Sequence, residues 1–300
     1  MAISFCIPTY NRLPHIKKVI NSIRHGIRDY TYEIIVADGG STDGTIEYLK
    51  KQKDVVLIEQ KKLTGSIKAF NLCFKKVKYE YVFWASDDFI IQTDVILKSC
   101  KLMDEHSEIG VVSPKFIEVT FSKFPNVGTW KHKIILSKTH IFRTSVLKEI
   151  NYFDEKFRTY YVDIDSHIAV LSLGYVTLFT REWGSIHTRI HDETRKSNVP
   201  TKTVGDEELR YYESKYKEID KKLNPNFCKR LRSFIFWSLS NRLRENKFMK
   251  NLMENDNTFA MNIFDWVLQR CVIYKASKFR KMKDFYLAQR LPESVINLKK

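Results

Sequence analysis

Paired cysteines are missing. The five present, Cys6, Cys73, Cys100, Cys228 and Cys271, form no C-x-x-C pair and no metal-like spacing. That excludes a disulfide framework and a structural zinc site, and it fits reduced core thiols in a cytosolic protein. No apolar run approaches the ~20 residues of a membrane span. No leader is visible, since Met1 runs straight into a strand pattern. There is no internal repeat and no low-complexity linker, which sets solenoid architectures aside. No RNP-like aromatic strand, zinc-ligand set or clear helix-turn-helix is present, so nucleic-acid binding has only charge in its favour. Acidic residues are the scarce sign, 35 against 51 Lys and Arg, for a net charge of +16. The imbalance is concentrated in Lys221–Lys300, which holds 18 Lys and Arg against 6 Asp and Glu. Such a stretch either meets something acidic or is simply a solvated basic surface.

What remains is a chain of 300 residues with 43% apolar content, enough for one large domain, or one domain with an appendage. Residues 3–7 are a buried strand. Ile16, Val19, Ile20 and Ile23 then recur at i, i+3, i+4 and i+7, so a helix with one apolar face follows. Residues 33–37 are a second strand, with a helix starting at Ile46 and Leu49. Val55–Ile58 is a third strand, and Ile67, Phe70, Phe74 and Val77 mark its helix. Tyr81–Trp84 is a strand, Val95–Met103 a helix and Ile109–Ser113 a strand. Alternating strands and helices with short connections predict a parallel sheet flanked by helices on both faces.

Residues 114–150 break this rhythm, with short strands at His132–Leu136 and His140–Arg143. Asp163 and Asp165 precede a helix that closes at Gly174, and Tyr175–Thr180 is a strand. From 206 to 300 strand signals vanish. The division predicted is therefore 1–205 as a catalytic domain and 206–300 as a basic helical region.

Three strands end in chemically loaded loops. The first is Pro8-Thr9-Tyr10-Asn11-Arg12, the second Asp38-Gly-Gly-Ser-Thr-Asp-Gly-Thr45, the third Ser86-Asp87-Asp88. If the strands are parallel neighbours, all three open at the sheet edge where open α/β folds bind ligands. Ser41 or Asp43 can cap the helix that starts at Thr45. The first loop contains no glycine, which argues against a nucleotidyltransferase gripping a triphosphate there.

Taken in order, these pieces resemble family 2 glycosyltransferases, which have the GT-A fold. Gly65, Ala69 and Asn71 match that family's G-x-x-x-A-x-N helix. Phe153-Asp154-Glu155, Asp163-x-Asp165 and Gly174-Tyr175 match its acceptor-side block. His187, thirteen residues after Gly174, falls where many members place a metal ligand. The resemblance covers roughly residues 1–190. It implies an inverting sugar transfer from a nucleotide diphosphate sugar, UDP-sugar by default, to a hydroxyl on a glycan or lipid-linked glycan. It also implies a divalent cofactor, Mn²⁺ or Mg²⁺, whose charge offsets the pyrophosphate.

On that resemblance Asp88 and His187 are metal ligands, and His191 is a weaker candidate. Pro8, Thr9, Tyr10, Asn11, Asp38, Gly65, Lys68 and Asp87 bind the nucleotide sugar. Asp163 is the general base, with Asp165 as fallback. Plainer readings stand beside these. Asp38 can serve only its own turn, Asp87-Asp88 and Asp163/Asp165 can be helix caps, and Lys68 can be a solvated lysine. A relative that binds nucleotide without turnover also fits. The sequence departs from the family at Ser86, at Asn151-Tyr152 where glycines are usual, at Val162 and at Ala169-Val170.

The last 95 residues lie outside the resemblance. Leu231, Phe234, Ile235 and Leu239 share one helical face, and Phe259, Ile263, Trp266, Val267 and Tyr274 another, interleaved with Arg270, Lys275, Lys278 and Arg280. Such helices can lie on an anionic membrane surface, giving a peripheral enzyme at the cytoplasmic face. Otherwise they pack on the catalytic domain or on a second copy of the chain.

Overall fold

The computed structural model describes all residues except 28–29, 119–126, 131–133, 138, 159, 189–201, 224–225, 255–257, 273, 277–284 and 297–300. The predicted alternation is present from the start. β1 (Ala2–Thr9), β2 (Thr31–Asp38), β3 (Val55–Glu59) and β4 (Tyr81–Trp84) are separated by α1 (Leu13–Gly26), α2 (Thr45–Lys50) and α3 (Ser66–Phe74). A short β5 (Phe89–Ile91) precedes α4 (Thr93–Glu105) and β6 (Ile109–Glu118). β7 (Val127–Trp130) and β8 (Ile134–Ser137) form a separate two-stranded sheet. β9 (Ile141–Arg143), α5 (Thr144–Glu149), α6 (Val162–Ser172) and β10 (Val176–His187) follow.

The nine-stranded sheet, which also takes in β11 (Phe285–Gln289), has the order β11-β10-β6-β9-β4-β1-β2-β3, with β5 pairing β10. β1 lies between β2 and β4, parallel to both. β9 is antiparallel to both β4 and β6, so β6 and β10 run the same way as β1. Alternation along each central strand feeds two cores. Ile3, Phe5, Ile7, Ile34 and Val36 face α1 and α4 on one side, whereas Cys6, Ile35 and Ala37 face α3 and α6 on the other.

Beyond residue 205 the structure departs from an all-helical reading. α7 (Lys202–Lys222), α8 (Phe227–Glu245), α9 (Lys247–Glu254) and α10 (Thr258–Cys271) are helices, but β11 (Phe285–Gln289) joins the main sheet antiparallel to β10. A five-residue strand that gains its ladder from a distant partner leaves little periodicity to read. α7 belongs to the catalytic core as well. Tyr212, Tyr216, Ile219 and Leu223, on one helical face, are buried in the core beneath α3 and α6. Lys215 Nζ lies 2.7 Å from Asp154 and 2.5 Å from Asp165. Tyr216 donates to Asp165 at 2.6 Å, and buried Glu208 accepts from the backbone N–H groups of Arg158 and Tyr160. Position 205/206 therefore separates no two hydrophobic cores. α10 seals the far end, where Ala260, Phe264 and Leu268 pack with Phe179 and Leu287. Val267 is buried, and among the described large apolar side chains of that helix Phe259 and Trp266 are exposed, while Lys278 and Arg280 lie outside the described residues.

Two fully buried histidines sit between sheet and helix. His140 stacks on Trp84 and bonds Ser113 Oγ at 2.8 Å, and His167 bonds Thr177 Oγ1 at 3.0 Å. Burial pushes His140 down to about 3 and His167 well below the ordinary value of 6.5. Above that value neither state is charged. Below it the unfolded chain binds protons that the folded chain refuses, so stability falls with falling pH. Between pH 6.5 and 4.5 we expect His140 to lower the urea-unfolding free energy by about 1.4 kcal/mol per pH unit, and His140→Gln to remove that part of the slope. Lys215→Met should cost about 3 kcal/mol, because it strands Asp165 without its partner, whereas exposed Lys217→Met should stay within about 0.5 kcal/mol.

Candidate active site

The site grows from the ends of parallel strands. Because β1, β2 and β4 are adjacent, their terminal loops meet. Gly39 N–H donates to Thr9 carbonyl at 2.9 Å, and Ala85 N–H to Cys6 carbonyl at 2.9 Å. Asn11 N–H donates to Ser41 Oγ at 2.7 Å, and Asn11 Oδ1 accepts from Thr42 N–H at 2.7 Å. Asn11 is left-handed at φ 50°, a conformation that asparagine tolerates. Pro8 lies within β1, in register with Ala37 of β2.

At the centre is a buried cluster of opposite charges. Thr9 Oγ1 donates to Asp87 Oδ2 at 3.0 Å. Arg12 Nη1 bridges the carboxylates, 3.2 Å from Asp87 Oδ1 and 3.3 Å from Asp88 Oδ2. His187 Nε2 stands 3.0 Å from Asp88 Oδ1. The imidazole is wedged against Phe89 and Phe116, at ring separations of 5.3 and 5.7 Å. The backbone locks the same junction, with Thr188 N–H and Oγ1 both donating to Asp88 carbonyl, at 3.0 and 2.8 Å. Burial alone would push the Asp88 carboxyl up. The hydrogen bond from His187, with Ser86 and the Arg12 charge, outweighs it and holds the group well below the ordinary carboxylate range. Asp88 is therefore a permanent anion. Asp87-Asp88 does not cap α4, whose N-cap is Gln92.

Asp38 is fully buried, and its carboxylate is used by its own turn. Oδ1 accepts from Gly40 N–H at 2.9 Å and Ser41 N–H at 2.7 Å, and Oδ2 from Ser41 Oγ at 2.6 Å. The carboxylate expected to meet the nucleotide thus shapes the β2 loop. Ser41 does not cap α2, since its hydroxyl is spent on Asp38. Asp43 instead accepts from Thr45 at that helix and from Leu13 N–H at the start of α1. Tyr10 lies across Gly39, where a Cβ would come 3.2 Å from its ring. The ring is 43% exposed and forms a platform at the mouth of the crevice. Gly65 opens α3 at φ 92°, left-handed backbone that suits glycine, and Lys68 is exposed on the first turn of that helix.

The helix carrying Asp163 and Asp165 runs back along the sheet into β10. Its first turn, with Asp163, therefore lies at the edge that holds the charged cluster. Asp163 is half-buried and Oδ1 accepts from Ile164 N–H at 2.9 Å. Asp165 points elsewhere. It faces a cavity of about 680 Å³ shared with Asn71, Asp154, Tyr211 and Lys215, and its carboxylate is held by Lys215 and Tyr216. Burial raises it above the ordinary carboxylate value despite Lys215.

Sequence reasoning gave no role to Arg12, Asn71 or Lys215. Asn71 clamps the loop before α6, donating to Phe153 carbonyl at 2.8 Å and accepting Phe153 N–H at 3.0 Å. The spacing of Tyr212, Tyr216, Ile219 and Leu223 was the available signal for α7. His191 lies outside the described residues. Among the described residues, no three His, Cys, Asp or Glu side chains form a ready-made metal cage, and no helix is long and apolar enough to cross a membrane.

Known proteins place this arrangement. Residues 4–167 match the model of glycosyl transferase family 2. Poly(ribitol-phosphate) beta-N-acetylglucosaminyltransferase TarS of Staphylococcus aureus is 28% identical over 175 residues, covering 53% of this chain and 30% of that protein. A poly(ribitol-phosphate) beta-glucosyltransferase of Bacillus spizizenii is 32% identical over 165 residues, covering 50% of this chain and 26% of that protein. The matched stretch thus spans less than a third of either relative's length. Among solved structures, S. aureus TarS 1-349 in complex with UDP-GlcNAc superposes with a TM-score of 0.59 at 19% identity, covering 90% of this chain and 83% of that one. Its complex with UDP gives 0.53 at 22% identity, covering 62% and 60%. The fold is thus the mostly parallel GT-A sheet flanked by helices, and the chain belongs to glycosyltransferase family 2.

Proposed function

We propose that this chain transfers a sugar from a nucleoside diphosphate sugar, a UDP-sugar by default, to a hydroxyl on a glycan or lipid-linked glycan, inverting the anomeric centre. The observation that carries the reading is the Asp87-Asp88 pair, buried at the strand edge with a cation already between its carboxylates. A buried carboxylate pair whose Asp88 is held ionised is built to hold positive charge, and a pyrophosphate needs positive charge beside it. The uridine default is supported by the UDP and UDP-GlcNAc held in the TarS structures.

The donor set fits a hard divalent cation, Mn²⁺ or Mg²⁺. Asp88 Oδ1 and His187 Nε2 converge at 3.0 Å, a carboxylate oxygen and an imidazole nitrogen of the kind such an ion would take. Asp88 and His187 would hold the ion, with Asp87 turned towards the ribose. When bound, the ion would offset the charge that develops on the departing diphosphate. The protein side chains do the rest. Tyr10 offers its exposed face to the base, with Pro8, Thr9 and Asn11 fixing the loop beneath it. Asp38 holds the β2 turn in shape, and Gly65 and Lys68 flank the phosphates from the start of α3.

Asp163 is the base that this geometry supports, because Asp165 is committed to Lys215 and Tyr216. The acceptor oxygen attacks the anomeric carbon while its proton passes to the Asp163 carboxylate. The sugar–phosphate bond breaks on the opposite side, and the electron pair leaves with the diphosphate.

A thermal-shift screen of nucleoside diphosphates with and without Mn²⁺ tests donor and metal together. UDP at 100 times its Kd should stabilise the protein by about 2.7 kcal/mol. Asp88→Ala should abolish the metal-dependent part of that shift. Asp163→Asn should keep the full shift and lose turnover by about 10²-fold or more. A UDP shift indifferent to Mn²⁺ and to Asp88→Ala would refute the assignment of the metal to Asp88.

A further inference from the structure

Arg12 is loosely held for a buried cation. Its backbone is fixed, because its carbonyl accepts from His15 and Ile16 N–H, at 3.0 and 2.9 Å, where α1 begins. Its side chain is only 9% exposed, yet it meets both carboxylates through one nitrogen, Nη1, at 3.2 and 3.3 Å. A charge-assisted N–H···O bond is usually about 2.7–2.9 Å long. Nε and Nη2 donate to none of the described residues. Most of the guanidinium N–H groups are therefore unused, in a site with little water to satisfy them. Arg24 shows the contrast, gripping Asp54 with Nε and Nη2 together, at 2.9 and 2.5 Å. The free edge of Arg12 is a planar pair of donors that fits two oxygens of one phosphate or carboxylate.

The surroundings name the anion. Nη1 lies 3.3 Å from Asp88 Oδ2, and His187 Nε2 lies 3.0 Å from the other oxygen of the same carboxylate. A divalent cation held by Asp88 and His187 would share that carboxylate with the guanidinium, and like charges so close repel. Arg12 then has to leave Asp88. The diphosphate of a sugar donor supplies a new partner in the same crevice, with paired oxygens for the unused edge.

We infer that Arg12 is a diphosphate-binding residue that also guards the cation site. Without donor it holds Asp87 and Asp88 and resists the divalent cation. With donor it turns its free edge to the diphosphate and releases Asp88. Freeing the guanidinium is then a cost met once for two ligands, so donor and cation bind cooperatively, each raising the other's affinity by the same factor. The inference rests on the assignment of the cation to Asp88 and His187, and adds to it the residue that couples cation to donor.

The experiment follows Mn²⁺ uptake by the full chain from the paramagnetic resonance of free Mn²⁺, with and without UDP, and UDP affinity at saturating Mn²⁺ by calorimetry. Neither reading needs turnover. The parent should bind Mn²⁺ about tenfold more tightly with UDP than without. Arg12→Gln should move the two affinities in opposite directions. Mn²⁺ without UDP should bind about tenfold more tightly, because the competing charge is gone. UDP at saturating Mn²⁺ should bind about tenfold more weakly, because a charge-assisted contact is lost. Damage to the loop alone would lower both. Arg12→Lys keeps the charge without the fork, so it should hold Mn²⁺ alone at the parent's affinity and still weaken UDP; it carries the test if Arg12→Gln does not fold. Parent Mn²⁺ uptake that ignores UDP overturns the inference and leaves the cation assignment standing. So do affinities that Arg12→Gln leaves alone or lowers together, and a parental UDP affinity in Arg12→Lys. No Mn²⁺ uptake by the parent, with or without UDP, refutes the cation assignment and this inference with it.

Discussion

Two adjacent carboxylates cannot share a dry pocket unless positive charge and hydrogen bonds hold them there. In this protein the partners come from the ends of separate parallel strands and the loops that follow them. Thr9 and Arg12 follow from β1, Asp87 and Asp88 follow β4, and His187 ends β10. The cluster forms only when β1 and β4 pair and β10 arrives past β6 to meet β5. The fold and the charged site are therefore one constraint. Phe89 belongs to both, as a core side chain in register with His187 and as one of the rings that fix its imidazole.

Much of this was legible in the sequence, for a local reason. β1, β2 and β4 are short apolar runs that stop at polar residues, and each helix between them repeats its apolar positions at helical spacing. The register that joins Thr9 to Asp38 follows from strand adjacency. The site residues were legible as a group because they sit at strand ends. Their individual duties were less so. Asp38 and Asp165 look from sequence like ligand-facing acids, yet one is satisfied by its own turn and the other by Lys215, fifty residues downstream. The turn that holds Asp38 is local and was one of the readings open, whereas nothing near Asp165 announces Lys215. Asn151 and Tyr152 replace the glycines usual in the family. Both are left-handed, at φ 61 and 63°, so the backbone still takes the shape that glycine favours. Stacking of Tyr152 on Phe74 helps to offset the strain.

The C-terminal third shows the limit of composition as a guide. Its uniform basic character suggested one appendage with one job, but its elements divide the work. α7 completes the core under α6, β11 extends the main sheet, α10 covers its end, and α8 packs on α10. Charge lies on the surface whereas the hydrophobic clusters lie in the core, so a change in composition near 205/206 does not mark where one cluster ends. α7 lies outside the stretch that matches the family model, yet it grips the segment leading to Asp163 through Glu208, Tyr211 and Lys215. The loop before α6 is thus shaped by residues beyond the stretch that matches the family model.

The account rests on Asp88 and His187 receiving a divalent cation in the position that Arg12 now helps to neutralise. The most direct measurement is an anomalous-scattering map from crystals grown with Mn²⁺ and UDP. The account predicts one manganese peak in contact with Asp88 Oδ1 and His187 Nε2, with the Arg12 guanidinium displaced from Asp88. A map with UDP in the crevice, no peak at these atoms and Arg12 still bridging Asp87 and Asp88 would contradict it.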